Sequence, residues 1–395
     1  MAINRGPLSH DHDIQIFSPE EIGRRRDDLL RWMKENDVDA VVLHAADSVY
    51  YLSGVPLLSE WGRPMWFVQK ATGEAALIGS GIERENMMSA PHADGLWYDD
   101  SQNVVAGALD LVSRFLGSAG TLGLERGLIS RRLEDELQSA LSAVRLMDVG
   151  PQLSEQRLVK SPEEVELLCL AGDIARIGAD AFLDAFKEGV TELHVASAAV
   201  HAMNVATAAL APVALSSTYA YCQTGQRTLT PHLHPGGRRI RRGDVIGLNV
   251  FPTISGYCVE LERTFVFGTP TDDQARALDA STRAFDEAKQ AVRIGVPMSE
   301  VDALATEILV QAGYGDYIRH GTGHAHGIMI GQASREEYGE LRAYNDRAFL
   351  SGIACSVEPA VFIPDVGAFR HSDVLIVGDE RVRCITEYDV RLAID

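Results

Sequence analysis

The tetrapeptide Ser-Pro-Glu-Glu occurs twice, at positions 18–21 and 161–164, and it divides the chain. In each copy Ser18 or Ser161 suits an N-cap, the proline suits the first helical position, and Glu21 or Glu164 can reach back to the N-cap amide. The proline gives up an N–H that would have had no partner anyway. Both copies therefore predict helix starts. The first helix is expected to run to about Asn36. It is followed by the buried-strand pattern of residues 39–44, then by alternating strand and helix patterns through 73–79 and 121–125. This alternation predicts an α/β domain over residues 1–155. The second capping sequence opens a larger α+β domain over 156–395, with helices expected at 162–187, 192–207, 273–293 and 299–312 and strands at 244–251, 257–267, 352–362 and 374–377.

Two junctions in the larger part resemble each other. Residues 185–190 (Ala-Phe-Lys-Glu-Gly-Val) and 291–296 (Ala-Val-Arg-Ile-Gly-Val) each read as a helix end, a glycine stop and a valine, leading to a polar N-cap at Thr191 or Ser299. Their spacing suggests a duplication in which two α–α–β halves pack around one sheet.

Charge narrows the function classes. A formal net charge of −20 repels phosphate backbones and anionic bilayers, so neither nucleic acid nor membrane is an expected partner. Residues 195–215 are apolar but contain His201, Asn204 and Pro212, which argues against a membrane span. Five widely spaced cysteines without a Cys-x-x-Cys pair point away from a disulfide framework or a thiolate zinc site. With no apolar leader segment at the N-terminus, a cytoplasmic protein is expected.

Four segments carry candidate chemistry. In the returning strand 257–267, Cys258, Glu260 and Glu262 alternate onto one face, and two carboxylates there require a cation, a proton or a metal. The run His320-Gly-Thr-Gly-His324-Ala-His326 combines three imidazoles with residues small enough to let backbones pass closely. His232 lies in Pro231-His-Leu-His234-Pro235, and Glu358 ends an apolar strand before Pro359. His232, Glu262, His324 and Glu358 are candidates for one polar pocket, in which an imidazole beside carboxylates can move protons near neutral pH. Composition and periodicity name no reaction, and they assign no role to His234, His326 or His371.

The order and spacing of these pieces resemble the pita-bread hydrolases, the family of aminopeptidase P, prolidase and creatinase, over nearly the whole chain. The resemblance implies a creatinase/prolidase-type N-terminal domain and a pita-bread catalytic domain. In metal-dependent members two divalent cations are held by Asp, Asp, His, Glu and Glu. The matching positions here are Asn249, Glu260, His324, Glu358 and Ser372, so the set is broken at both ends. That pattern resembles the metal-independent creatinase branch, as do Gly62-Arg63-Pro64, Gly256-Tyr257, Leu261-Glu262-Arg263-Thr264 and Arg335.

The branch implies His232 as general acid/base, Glu262 and Glu358 as holders of a guanidinium group, and Arg63 and Arg335 as the grip on a substrate carboxylate. It implies a small zwitterionic substrate and a homodimer whose active site is shared between subunits. Trp61, Cys258, Glu260 and Ser372 stand where creatinase has Phe, Tyr, Ala and His, so a related compound is expected, and His324 joins them in lining the pocket. No cofactor is expected, although Glu260, His324 and Glu358 could hold a single divalent metal, completed by water, His371 or a substrate atom. Competing readings are a metal-dependent Xaa-Pro dipeptidase or aminopeptidase, an ectoine-type cyclic amidine hydrolase, and a catalytically inactive binding protein.

Overall fold

The computed structural model describes residues 16–55, 63–99, 101, 103–117, 120–141, 144–211, 215–330 and 337–390. The chain forms two compact units, one of residues 1–157 with 328–334 and the other of 158–327 with 335–395. The expected boundary at 155/156 falls within the helix Gly150–Leu158. The return of 328–334 to the first unit had no local signal. Its Ile330 N–H donates to the Asp47 carboxylate at 2.9 Å.

The first unit is a six-stranded mixed sheet in the order Asp94–Tyr98, Ala75–Ser80, Trp66–Lys70, Ala40–Leu43, Thr121–Leu124, Arg145–Asp148. Only Trp66–Lys70 runs antiparallel to its neighbours. The remaining pairs are parallel. The helices Val104–Leu116 and Arg131–Ala140 close one face over a core that includes Val42, Trp66, Val68, Ile78 and Leu122. The first Ser-Pro-Glu-Glu starts the helix Pro19–Glu35, and the Ser18 hydroxyl accepts the Glu21 N–H. The Glu21 carboxylate is taken by Arg24 and Arg25, with Arg25 wholly buried.

In the second unit the Ser161–Glu164 capping box is complete and starts the helix Pro162–Ala185. Glu164 also accepts the Tyr257 hydroxyl at 2.7 Å, which ties this helix to the hairpin that leads into the candidate site. The helix Glu192–Leu210 packs beside it; a side chain at Gly178 would collide with Met203, so the glycine permits the contact. By length and composition this is the one helix among the described residues that could cross a membrane. Its Glu192 is buried and paired with Arg227 at 2.9 Å, and Val195, Ala196, Ala199 and Met203 are buried.

The two similar junctions adopt the same joint. Gly189 and Gly295 have φ of 81° and 83°, left-handed values that favour glycine. Each donates its N–H to a distant carbonyl, of Ile240 and Phe349 respectively, and those residues return their N–H groups to Val190 and Val296. The second helix pair is Asp272–Ala291 and Met298–Gln311.

Against these helices lie three small antiparallel sheets, besides the short pair of Thr253–Ile254 with Tyr257–Cys258. One has the order Leu261–Val266, Val245–Phe251, Tyr219–Thr224; the second Ala354–Val357, Asp373–Val377, Val382–Cys384; the third pairs Ala360–Ile363 with Gly367–Arg370. A Glu262–Ser372 bridge joins the first two. The expected strand 257–267 is interrupted. Ile254 and Tyr257 flank a tight turn in which Ser255 and Gly256 both have positive φ, as a two-residue hairpin turn demands. The ladder then breaks at residues 259–260 before resuming at Leu261. The expected strand 352–362 breaks in the same way at Glu358-Pro359, because proline has no N–H to continue a ladder. Both breaks carry a site carboxylate.

Candidate active site

Backbone pairing explains why the candidate residues converge. Residues 322–326 run beside Ala354–Val357: His326 N–H donates to Ala354 O, Ser356 N–H to His324 O, and Glu358 N–H to Thr322 O. Added at Gly323, a Cβ would lie 2.1 Å from Ser356 O, so glycine is what admits this approach. The period of two then sets His324 and His326 on the same side. The bridge of Glu262 to Ser372 brings in the opposite wall, with N–H to O distances of 3.1 and 2.9 Å.

Glu260 is the centre of the cluster. Its Oε1 accepts the Ser372 hydroxyl at 2.7 Å. Its Oε2 faces the Nε2 atoms of both His324 and His326 at 3.7 Å. His324 Nε2 lies 3.5 Å from Glu358 Oε1. Carbonyl oxygens only accept, so His324 Nδ1–H donates to Ala325 O and His326 Nδ1–H to Cys258 O. Both Nε2 atoms therefore turn towards the carboxylates, and His326 Nε2 is buried with no hydrogen-bond partner.

The carboxylate pair anticipated on this strand is balanced by a cation and a proton. Arg370 bridges Glu262 Oε1 at 2.5 Å and Glu358 Oε2 at 3.3 Å. Burial, reinforced by Glu260 and Glu358, holds Glu262 well above the usual carboxylate range in spite of Arg370. Burial also pushes Glu260 up, but charge on the facing His324 and His326 and the Ser372 hydroxyl reverse the effect and hold it well below the usual range. The two acids are driven apart, one retaining a proton and one ionised, which suits them to different tasks. Glu262 Oε2 has no hydrogen-bond partner and remains available.

The side chains of the other expected residues take no part in the contacts named above. His232 is exposed on the loop after Tyr219–Thr224, and the exposed His234 sets its ring edge-on to Tyr221 at 5.2 Å. Cys258 is buried, its thiol points to Val259 O at 3.4 Å, and burial pushes it up to about 12, so it stays protonated. Arg63 is half-buried in the N-terminal unit, before Trp66–Lys70. Trp61 and Arg335 lie outside the described residues.

Among the described residues two triplets of ligand atoms lie within 4.8 Å of one another, Glu260 with His324 and His326, and Glu260 with Glu262 and Glu358. His324 Nε2 also approaches both expected carboxylate partners, Glu260 and Glu358. Strand alternation places His326 beside His324, and Arg370 holds Glu358 from its other side. His371 is no ligand candidate. Strand alternation turns it away from Ser372 into the core, against Phe285 at 5.6 Å. Its Nε2–H donates to Thr282 Oγ1 at 3.1 Å while the Thr282 hydroxyl donates to Leu278 O.

Burial, with Arg263 and Lys289 nearby, lowers His371 to about 3. Below its ordinary pKa the unfolded chain binds a proton that the folded chain refuses, so stability falls as pH falls through this window. Acidification from pH 6.5 to about 4 should remove about 3 kcal/mol through this one group. Urea unfolding at both pH values checks this, with His371→Asn expected to flatten the slope.

Residues 166–379 match the model of metallopeptidase family M24, more than half of the chain. The chain belongs to metallopeptidase family M24. Residues 25–159 match the creatinase/prolidase N-terminal domain. The M24 chain is 28% identical to creatinase of Bacillus sp. (strain B-0618), over 94% of this chain and 92% of that one. It is 25% identical to the Xaa-Pro dipeptidase of Pyrococcus furiosus, over 93% and 99% of the two chains. Its fold matches that of the Xaa-Pro dipeptidase from Bacillus anthracis with a TM-score of 0.82 at 23% identity, covering 94% of this chain and 99% of that one. The two-domain creatinase-like, pita-bread architecture follows, and the chain is a member of a hydrolase family.

The M24 residues present here do not fit a dinuclear metal centre. Position 249 is an asparagine whose Nδ2 donates to Gln223 Oε1 at 2.9 Å, and position 372 is a serine whose hydroxyl donates to Glu260. Both present protons where a cation needs lone pairs. Arg370, His326 and Gln223 were not assigned roles from the sequence. The available signals were a buried-strand glutamine in Tyr219–Thr224, an arginine before the apolar run Asp373–Val377, and the period-two spacing of His326 from His324.

Proposed function

We propose that this M24 chain hydrolyses a non-peptide C–N bond in a small zwitterionic guanidino, amidino or ureido acid, with no dinuclear metal centre. The observation that carries the reading is that Asn249 and Ser372, at two of the five family ligand positions, both act as hydrogen-bond donors. Glu358 Oε1 and Glu260 Oε2 offer acceptors to a planar cationic head, and Glu262 Oε2 joins them when its carboxyl gives up its proton, a geometry that suits a guanidinium or amidinium. Arg63 and Arg335, with Trp61, hold the substrate carboxylate, so that the C–N bond is fixed between two charged ends. His232 takes a proton from the attacking water and returns one to the departing amine. The working unit is a homodimer with a shared site, located in the cytoplasm.

A second reading is favoured by one observation. The Nε2 atoms of two imidazoles and a carboxylate oxygen lie within 4.8 Å of one another in the Glu260–His324–His326 triplet, which suits a single divalent cation once both imidazoles are neutral. There it would supply Lewis-acid polarisation of the substrate.

The test is a screen of creatine, other guanidino acids, ureido acids, hydantoins, ectoine and Xaa-Pro dipeptides, on protein stripped by chelation and on protein loaded with metal. Turnover of a guanidino, amidino or ureido acid by stripped protein is the expected result. Xaa-Pro cleavage that is lost on chelation overturns the reading. Elemental analysis of the purified protein and of His326→Ala decides the single-cation alternative independently of activity.

A further inference from the structure

We propose that Gln223, Asn249 and Gly247 form a positioning device for the His232 loop, and that the asparagine in place of the first family ligand is its anchoring donor. The inference rests on the reading of His232 as the general base. Gln223 Nε2 donates to the carbonyls of Pro231 at 2.7 Å and Leu233 at 3.0 Å, the two residues that bracket His232. Both protons of one amide nitrogen are thereby committed to the backbone on either side of the imidazole.

The orientation of that amide is set from the other end. Asn249 Nδ2 donates to Gln223 Oε1 at 2.9 Å. Reversing the Gln223 amide would turn its nitrogen against Asn249 Nδ2 and its oxygen against two carbonyls. Both side chains are buried, at 3% and 4% exposure, so no solvent relieves such a mismatch. Gly247, opposite Gln223 in the strand pairing, leaves room for the bond: a Cβ there would lie 3.1 Å from Asn249 Nδ2 and 3.2 Å from Gln223 Oε1. Asn249 in turn pairs with Glu262 on its other side. A continuous line of hydrogen bonds and strand register thus runs from the strand of Glu262 to the loop of His232.

An aspartate at 249 would present only acceptors to Gln223 and undo this alignment. The change that removes a metal ligand is therefore the change that fixes the imidazole loop. The far end of the loop has separate anchors, Arg227 to His234 O at 3.1 Å and Glu192 to Gly236 N–H at 3.3 Å, so loss of the device should free residues 231–234 alone.

Between Pro231 and Pro235 the Leu233 N–H donates to Thr230 O at 3.0 Å, and its exchange protection in the full-length protein reads the device without any substrate. In Asn249→Asp at pH 9 it should fall at least tenfold. In Asn249→Ala and in Gln223→Glu at pH 9 protection should be equally low. A merely space-filling role would not separate Asn249→Asp, which is nearly the same size, from the wild type. Gly247→Ala, which deletes no polar group, gives a further route to the same loss if a 249 variant fails to fold. Wild-type protection in Asn249→Asp or in Asn249→Ala at pH 9 overturns the proposal. Turnover by His232→Ala judges the general-base reading separately: if that variant keeps full activity while the exchange results hold, the loop device stands and the reading of His232 falls.

Discussion

Replacing Arg263 by methionine should destabilise the C-terminal unit by about 3–5 kcal/mol, the cost of removing one partner from a buried, hydrogen-bonded ion pair. Arg263 is wholly buried and all five of its N–H protons are directed at acceptors. Two reach the Glu262 and Ser372 carbonyls at 2.8 Å, two reach Asp373 Oδ1 at 2.8 Å and Tyr388 O at 2.9 Å, and Nε–H reaches Asp389 O at 3.2 Å. Methionine fills part of the volume, takes their Arg263 donor from the Tyr388 and Asp389 carbonyls, leaves the Glu262 and Ser372 carbonyls with only the backbone N–H groups they exchange, and leaves Asp373 with Lys289 as its remaining charged partner. Arg263→Lys should recover little, since a point ammonium cannot serve a planar fork. Urea unfolding of the purified variants measures this, and a loss below about 1 kcal/mol would show that these hydrogen bonds are replaced by water at little cost.

The largest effect on activity is expected at His232. Its replacement by alanine should lower kcat by about 10²–10⁴-fold, the range of a general acid/base, with KM changed little because the groups proposed to bind the substrate are the carboxylates and arginines. Free imidazole should restore part of the rate in the alanine variant, since it can carry the same proton through the space left by the ring. Steady-state assays of both proteins on the compound identified in the screen decide the matter. An alanine variant with unaltered kcat would remove His232 from the reaction.

Local signals made much of the fold legible in the sequence. The capping residues Ser161 and Glu164 and the glycine stops at 189 and 295 act through neighbours a few positions away, so a short stretch of sequence contains their cause. The breaks at Glu260 and Glu358 were harder to see, because an apolar run reads as one strand whether or not its ladder is continuous. Of the site, Glu260, Glu262, Glu358, His324 and Ser372 were anticipated together and do converge. Arg370 was overlooked because its meaning lies in two acids 108 and 12 positions away. Gln223 was overlooked for the same reason: its partners sit on another strand and a later loop, and no periodicity records that meeting.

The Arg263 fork joins Ser372, whose hydroxyl donates to Glu260, to carbonyls at 388 and 389. During synthesis, therefore, the carboxylate cluster cannot be locked until those late residues have left the ribosome. A nascent chain long enough to form the described helices of the second unit still lacks the stitch beneath its carboxylate cluster, and a protease that clips just before residue 388 would undo it again.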